Sequence, residues 1–241
     1  MMRRNTIIFT RISLVILLII SAQLTNAQQK PFRFGFKLAP AISWMSPDSK
    51  HYESAGSDFT FAWGFTSDFT LMEHYYVTTG FNVSYFKGHM NYAHSIENNY
   101  IAYNGQMDRT YNLRYIEVPI ALKMKTNELV KDYKFYGLIG VNTGFNIRSK
   151  ANDHFSGESI LDTYTYSEEK IDIKDETTLL KASLLVGVGT EYVIDESVSL
   201  VLGINFNNGF TNILKGNNTS YPDIKATAVP YYFELNLGVI F

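Results

Sequence analysis

Cysteine is absent from all 241 residues. Its absence excludes disulfide staples, thiol nucleophiles and Cys-ligated zinc, and with them the lipid-attachment residue of a bacterial lipoprotein. A dominant charge is missing too. The chain has 21 basic and 23 acidic residues, a net charge of -2, and no basic patch with interleaved aromatics that would mark a nucleic-acid partner. Past the N-terminus there is no run of the roughly 20 consecutive apolar residues that a membrane helix needs. Aromatic residues, by contrast, are plentiful, with 17 Phe and 17 Tyr, a composition that favours strands over helices. The length suits one medium all-β domain.

The first residues read as an address. Arg3, Arg4 and Arg11 form a positive region ahead of the apolar stretch Ile12 to Ala22, which is too short to span a bilayer as a helix. Thr25-Asn26-Ala27 places small residues where a signal peptidase cuts. The expectation is a signal peptide over residues 1–27 and an exported domain over 28–241, with a retained anchor as the alternative.

The rest of the chain repeats one pattern, segments of about ten residues alternating in polarity, the signature of transmembrane β-strands. Phe32 to Trp44 sets Phe32, Phe34, Phe36, Leu38, Ile42 and Trp44 against Arg33, Gly35, Lys37, Ala39, Ala41 and Ser43. Similar segments span 59–71, 75–86, 113–125, 134–147, 182–193, 198–207 and 231–241. Short connections at 72–74, 126–132 and 195–196 alternate with long ones at 45–58, 87–111, 148–180 and 208–229. Outer-membrane barrels have short periplasmic turns and long outer loops. The predicted fold is all-β: a closed antiparallel transmembrane barrel of about eight strands in the outer membrane of a Gram-negative bacterium.

A soluble barrel would turn its apolar face inward. Here that face is too large and aromatic for an interior only just wide enough to be filled by side chains, so it is expected to meet lipid. Gly35, Gly64, Gly80, Gly140, Gly187, Gly203 and Gly238 fall on the opposite face, beside Arg33, Lys37, Asp68, Glu117, Lys123, Glu191 and Glu234. These seven charges are the expected lumen network, since unpaired charges in a narrow barrel are costly. Lys37 and Glu234 are the suggested partners, because first and last strands adjoin in a closed barrel. The network reads either as packing or as a proton or ion path. A filled lumen also argues against a diffusion porin, which needs roughly 16–18 strands. Tyr75, Tyr76, Tyr85, Tyr111, Tyr133, Tyr192 and Tyr231 read as interfacial girdles or as ordinary strand propensity. Phe241, outward in register, reads as a signal for the outer-membrane assembly machinery.

Phe34-Gly35-Phe36-Lys37-Leu38, the block Tyr115-Ile116-Glu117-Val118-Pro119-Ile120-Ala121-Leu122-Lys123, Gly187-Val188-Gly189-Thr190-Glu191-Tyr192 and Gly209-Phe210-Thr211-Asn212-Ile213 together resemble the PorT-like family of outer-membrane barrels, often labelled porin family proteins. The resemblance covers essentially the whole exported part and implies an outer-membrane barrel. Its namesake is similar to a component of a dedicated secretion system, so the resemblance implies secretion components as partners. It carries over no catalytic residue.

His51, His74, His89, His94 and His154 all fall in expected loops or turns, without a matched ligand set for a transition metal. His89 and Asp108 are the candidates for a lipid-active enzyme, which would need mutual hydrogen-bond geometry. No metal, cofactor or catalytic residue is expected. The 87–111 connection carries Tyr92, Tyr100 and Tyr103 among asparagines, a composition suited to adaptable binding. The 148–180 connection is acidic and offers carboxylates to divalent cations bridging lipopolysaccharide. Its plain alternative is a solvated loop. The expected function is structural or interaction-based within the outer membrane, among its lipid and lipopolysaccharide, in a secretion assembly. A narrow solute channel is the first alternative and a lipid-active enzyme the second.

Overall fold

The computed structural model describes residues 31–195 and 197–241, and the expected signal peptide lies outside the described residues. Ten strands follow in chain order: β1 (Phe32–Pro47), β2 (Tyr52–Ser54), β3 (Ser57–Met72), β4 (Tyr75–Asn98), β5 (Ile101–Val130), β6 (Tyr133–Glu158), β7 (Thr163–Asp172), β8 (Leu180–Val193), β9 (Ser199–Gly209) and β10 (Ala228–Ile240). A 3-10 turn at Lys174–Glu176 precedes β8. Among the described residues no helix is long and apolar enough to cross a membrane. The strands do the crossing.

Eight of the ten strands close into an antiparallel ring, with β2 and β7 attached outside it. The first and last strands meet: β10 pairs with β1 from Gly35↔Ile240 to Pro47↔Ala228. Closure leaves no ladder edge in lipid, where each unsatisfied backbone group would cost several kcal/mol, roughly 2–7. Period-2 alternation decides the facing. Phe32, Phe34, Phe36, Leu38 and Ile42 are exposed on β1, while Ala39, Ala41 and Ser43 between them are buried. Phe59, Phe61, Trp63 and Phe65 on β3 and Leu200, Leu202 and Ile204 on β9 continue the outward face. A belt of this size would be a severe liability in water and fits hydrocarbon.

Two expected loops are strands. About 9–11 residues suffice to cross the bilayer, yet β4 has 24 residues and β5 has 30. The 87–111 segment therefore continues the β4–β5 hairpin beyond the membrane and closes through Asn99 and Tyr100, whose φ angles are 52° and 66°. Positive φ at both central positions marks a type I′ turn, matched to strand twist. In the 148–180 segment β6 runs on to Glu158 and β7 folds back along it. Accordingly His89, His94 and His154 sit in strands, and only His51 and His74 occupy turns. Beyond the lipid the outward face meets water and turns polar, so the apolar alternation that marks a membrane strand fades while the ladder continues.

The girdle reading needs correcting at two of its seven tyrosines. Tyr111 is 3% exposed and lies inside, because it shares parity with the buried Leu113 and Tyr115. Tyr76 also leans inward, its ring 4.2 Å from Lys125 Nζ. Tyr75, Tyr133 and Tyr192 do face outward near the turn end, with the Tyr133 and Tyr192 rings 4.9 Å apart. At the opposite end Trp44 stacks on Tyr231 at 5.7 Å and Phe61 on Tyr85 at 4.5 Å.

Candidate functional site

The interior is layered along the barrel axis. At the turn end, β3, β5 and β8 bring Asp68, Lys123, Lys125 and Glu191 together. Lys123 Nζ lies 2.5 Å from Glu191 Oε1 and 3.0 Å from Asp68 Oδ2. Lys125 Nζ lies 2.8 Å from Glu191 Oε2 and 3.5 Å from Asp68. Arg33 of β1 donates through both Nη atoms to Glu191 Oε2 at 3.0 Å, and Thr78 donates to Asp68 Oδ1 at 2.6 Å. Three cations thus face two carboxylates. Aromatic faces take up the imbalance: Lys123 Nζ sits 4.5 Å from the Tyr136 ring centre and Lys125 faces Tyr76. Gly189 and Gly203 make room for Tyr136, since a Cβ at Gly203 would stand 2.2 Å from its hydroxyl.

The next layer centres on Glu117 of β5. It takes Lys181 Nζ at 2.6 Å, accepts from Asn142 at 2.9 Å and accepts from the Tyr232 hydroxyl at 3.0 Å. Lys37 Nζ lies 3.0 Å from Glu234 Oε1, to which Asn205 also donates at 2.7 Å. All seven sequence-expected lumen residues point inward. They fall into two groups, Arg33, Asp68, Lys123 and Glu191 at the turn end, and Lys37, Glu117 and Glu234 above them. Lys125 and Lys181 escaped the sequence reading, although each shares the inward parity of its strand. Cavities of about 50 Å³ and 30 Å³ lie between the layers, each with room for only a few waters.

Above the ions the filling becomes apolar. Met45, Phe86, Met90, Met107 and Tyr115 are almost wholly buried, and the cluster continues outward to Phe155, Ile173 and Ile213. Beyond it Arg109 grips Asp153 bidentately, at 2.7 Å and 2.6 Å, and also donates to Glu176. A mouth cavity of about 210 Å³ opens beside this cluster, lined by Tyr52, Tyr92, His94, Arg109 and Glu176 and roofed by residues 214–219. Burial pushes the Tyr92 phenol far above its ordinary range. Burial, reinforced by the Arg109 guanidinium, holds the His94 imidazole below its ordinary value. His94 therefore favours the neutral form, with Nδ1 2.8 Å from Thr219 Oγ1.

The candidate enzymatic pair does not assemble. His89 Nε2 meets Asp58 at 2.6 Å, not Asp108, and its Nδ1 meets Thr110 Oγ1 at 2.9 Å. The acid–imidazole–hydroxyl order resembles a hydrolytic relay, but Thr110 lies inside the β4–β5 and β5–β6 ladders. Its neighbouring amides are committed to those ladders, whereas an oxyanion site needs free donors. Among the described residues no cluster of three or more His, Cys, Asp or Glu could hold a metal. Phe241 is partly exposed, its ring 5.7 Å from Phe34.

A family model described as "Outer membrane protein beta-barrel domain" matches residues 22–215. Among solved structures, Neisserial surface protein A is 14% identical, covers 88% of this chain and 96% of its own, and has a TM-score of 0.39. OprG of Pseudomonas aeruginosa is 12% identical, with coverages of 88% and 97% and a TM-score of 0.43. The outer-membrane protease OmpT of Escherichia coli is 10% identical, with coverages of 90% and 99% and a TM-score of 0.41. These likenesses concern fold alone. No curated protein matches the sequence.

Proposed function

Because the chain belongs to the outer membrane protein beta-barrel domain family, and is thus an outer-membrane β-barrel protein, we propose that its task lies outside the lumen. In this reading the barrel is a non-conducting anchor. It holds the β4–β5 hairpin and the β6–β7 pair rigidly above the membrane as a surface for a protein partner. The resemblance of Tyr115-Ile116-Glu117-Val118-Pro119 and the glycine-containing segments to PorT-like sequences favours a secretion assembly as the setting of that partner.

The observation that carries the reading is the filled interior. Two ionic layers and an apolar layer occupy the lumen, and the cavities between them measure only about 50 Å³ and 30 Å³. Conduction would require breaking several buried ion pairs, each worth about 3–5 kcal/mol when one partner is stripped away. The hairpin tip, in contrast, is open: Tyr100 is 97% exposed, and Ile160 beside β7 is 99% exposed.

Two measurements test it. Pure protein in planar bilayers is expected to give no conductance steps, and regular steps would end the anchor reading. Photocrosslinkers placed at Tyr100 and Ile160 in native membranes are expected to capture the same protein from both tips. Finding only lipid or unrelated adducts would reject the interaction role.

A further inference from the structure

The outer wall of the barrel carries a row of basic residues without acidic counterparts. On β4 the outward residue above Val83 and Tyr85 is Lys87. On β5, above Ile116, it is Arg114, and on β6, above Phe145 and Ile147, it is Arg148. The register sets Arg114 directly opposite both Tyr85 and Arg148. Lys87 stands one outward position further along, opposite Asn112. Neighbouring strands run about 4.8 Å apart, so the three cations occupy one patch. The outward face immediately below is apolar, with Phe145 and Ile147 exposed. The patch therefore lies where hydrocarbon gives way to headgroups on the loop side of the membrane.

Two arginines directly across a ladder repel each other and destabilise the pairing, and charge interspersion would ordinarily relieve them. Here four carboxylates of the same end of the barrel are engaged elsewhere. Asp172 lies 3.1 Å from Lys150, Asp58 lies 2.6 Å from His89, and Asp153 and Glu176 hold Arg109 on the interior face. Asp108 sits opposite His154 and Asn91, further from the membrane. No ion pair involves Lys87, Arg114 or Arg148 among the described residues. The Arg114 guanidinium lies over the Tyr85 ring at 4.5 Å, which fixes it in place, while its Nε is buried without a hydrogen-bond partner. A like-charged row, partly desolvated and held by an aromatic platform, fits an anion arriving from the membrane plane.

We propose that Lys87, Arg114 and Arg148 bind the phosphate of a glycolipid headgroup in the outer leaflet, with the acyl chains lying against Ile116, Phe145 and Ile147. Arginine suits the role because its planar fork matches phosphate bidentately. The site is independent of the protein-partner reading and requires only that the barrel sit in the outer membrane.

The test uses protein purified from native membranes in a non-ionic maltoside detergent and stripped of lipid. Binding of phosphorylated lipid A, dephosphorylated lipid A and inorganic phosphate is measured by calorimetry. Wild type is expected to bind phosphorylated lipid A and to bind the other two far more weakly. The Lys87→Gln/Arg114→Gln/Arg148→Gln variant is expected to bind it about a hundredfold more weakly, at roughly 1 kcal/mol per basic residue near an anionic surface. Heat-modifiable migration in gels checks that this variant is folded. The Arg114→Lys/Arg148→Lys variant, which keeps the charge but loses the bidentate fork, is expected to bind more weakly than wild type and more tightly than the triple-Gln variant. Equal binding of dephosphorylated lipid A, or an unchanged affinity in the folded triple-Gln variant, would overturn the proposal. Inorganic phosphate binding as tightly as the lipid would overturn the assignment to a headgroup.

Discussion

At the level of single residues, the interior is governed by neutralisation. Lys181 and Glu117 are both almost fully buried and lie 2.6 Å apart. Lys181→Met is expected to strand the Glu117 carboxylate and cost about 3–5 kcal/mol, read as a lower midpoint of denaturant unfolding followed by tryptophan fluorescence. Adding Glu117→Gln should restore most of that loss, because a neutral pair of similar shape leaves no buried charge behind. A second prediction concerns space. Gly203→Val would drive carbon into the Tyr136 hydroxyl, 2.2 Å from the Cβ position, and should destabilise the fold by about 1–3 kcal/mol through overpacking. Combining it with Tyr136→Ala should relieve much of the penalty, and additive losses would reject the steric account. The residues of this interior were readable where strand bounds were right. Lys37 and Glu234 followed from parity and from adjacency of the first and last strands. Lys181 was missed because the expected strand opened one residue later, at Ala182. Lys125 is the last residue of the expected strand 113–125, and its parity with Lys123 is the signal that marks it as inward.

Strands and hairpins show a different balance. The β4–β5 hairpin turns through Asn99 and Tyr100, both at positive φ, a region that costs a non-glycine residue about 1–3 kcal/mol. Tyr100 packs against almost nothing, so Tyr100→Gly should stabilise the tip by about 1 kcal/mol, seen as slower amide exchange at 96–103. Faster exchange would mean that the tyrosine ring makes a contact worth more than its backbone strain. The same hairpin carries a pH response. Burial favours neutral His94 in the folded state, so its contribution is intact above the unfolded value of about 6.5 and drains away as pH falls through it. Protease cleavage of the hairpin should therefore rise between pH 7.5 and 5.5. His94→Gln should flatten that dependence, and an unchanged slope would assign it elsewhere. The membrane halves of these strands were legible because lipid on one side and a crowded centre on the other enforce strict alternation. Their outer halves read as loops in sequence because water on the outside removes the apolar member of each pair. Tyr92, Tyr103 and Met107 do lie on the inward face, but a pattern with one apolar side, interrupted by Gly88, Asn91, Asn104 and Gly105, does not distinguish strand from coil.

On the scale of the whole molecule, facing and closure were the strongest inferences, since they rest on the bulk of Phe, Tyr and Trp rather than on any one contact. A barrel with a small interior cannot hold that bulk inside, and the outward belt follows. What composition could not convey is the axial order of the filling, ions at the turn end and methionine and aromatic rings toward the mouth. That order arises from side chains on different strands meeting at one height, which depends on register and shear rather than on local sequence. It has a testable consequence for the molecule as a unit. Arg33→Ala, Lys123→Ala and Glu191→Ala together should loosen the turn end yet leave the apolar layer shut, so conductance should still be absent. Steady current through this variant would show that the ionic layer alone is the seal.

The exchange of hydrogen bonds between Phe34 and Phe241 joins β1 to the residue that follows β10. A chain interrupted anywhere before β10 would present two raw ladder edges to the bilayer, each bare amide there being expensive. A closed wall thus requires β1 and β10 together, and a fragment lacking either keeps open edges of the kind that pair with other chains. The seam thus makes closure of the wall a property of the whole ring, carried by the β1–β10 ladder rather than by any one contact.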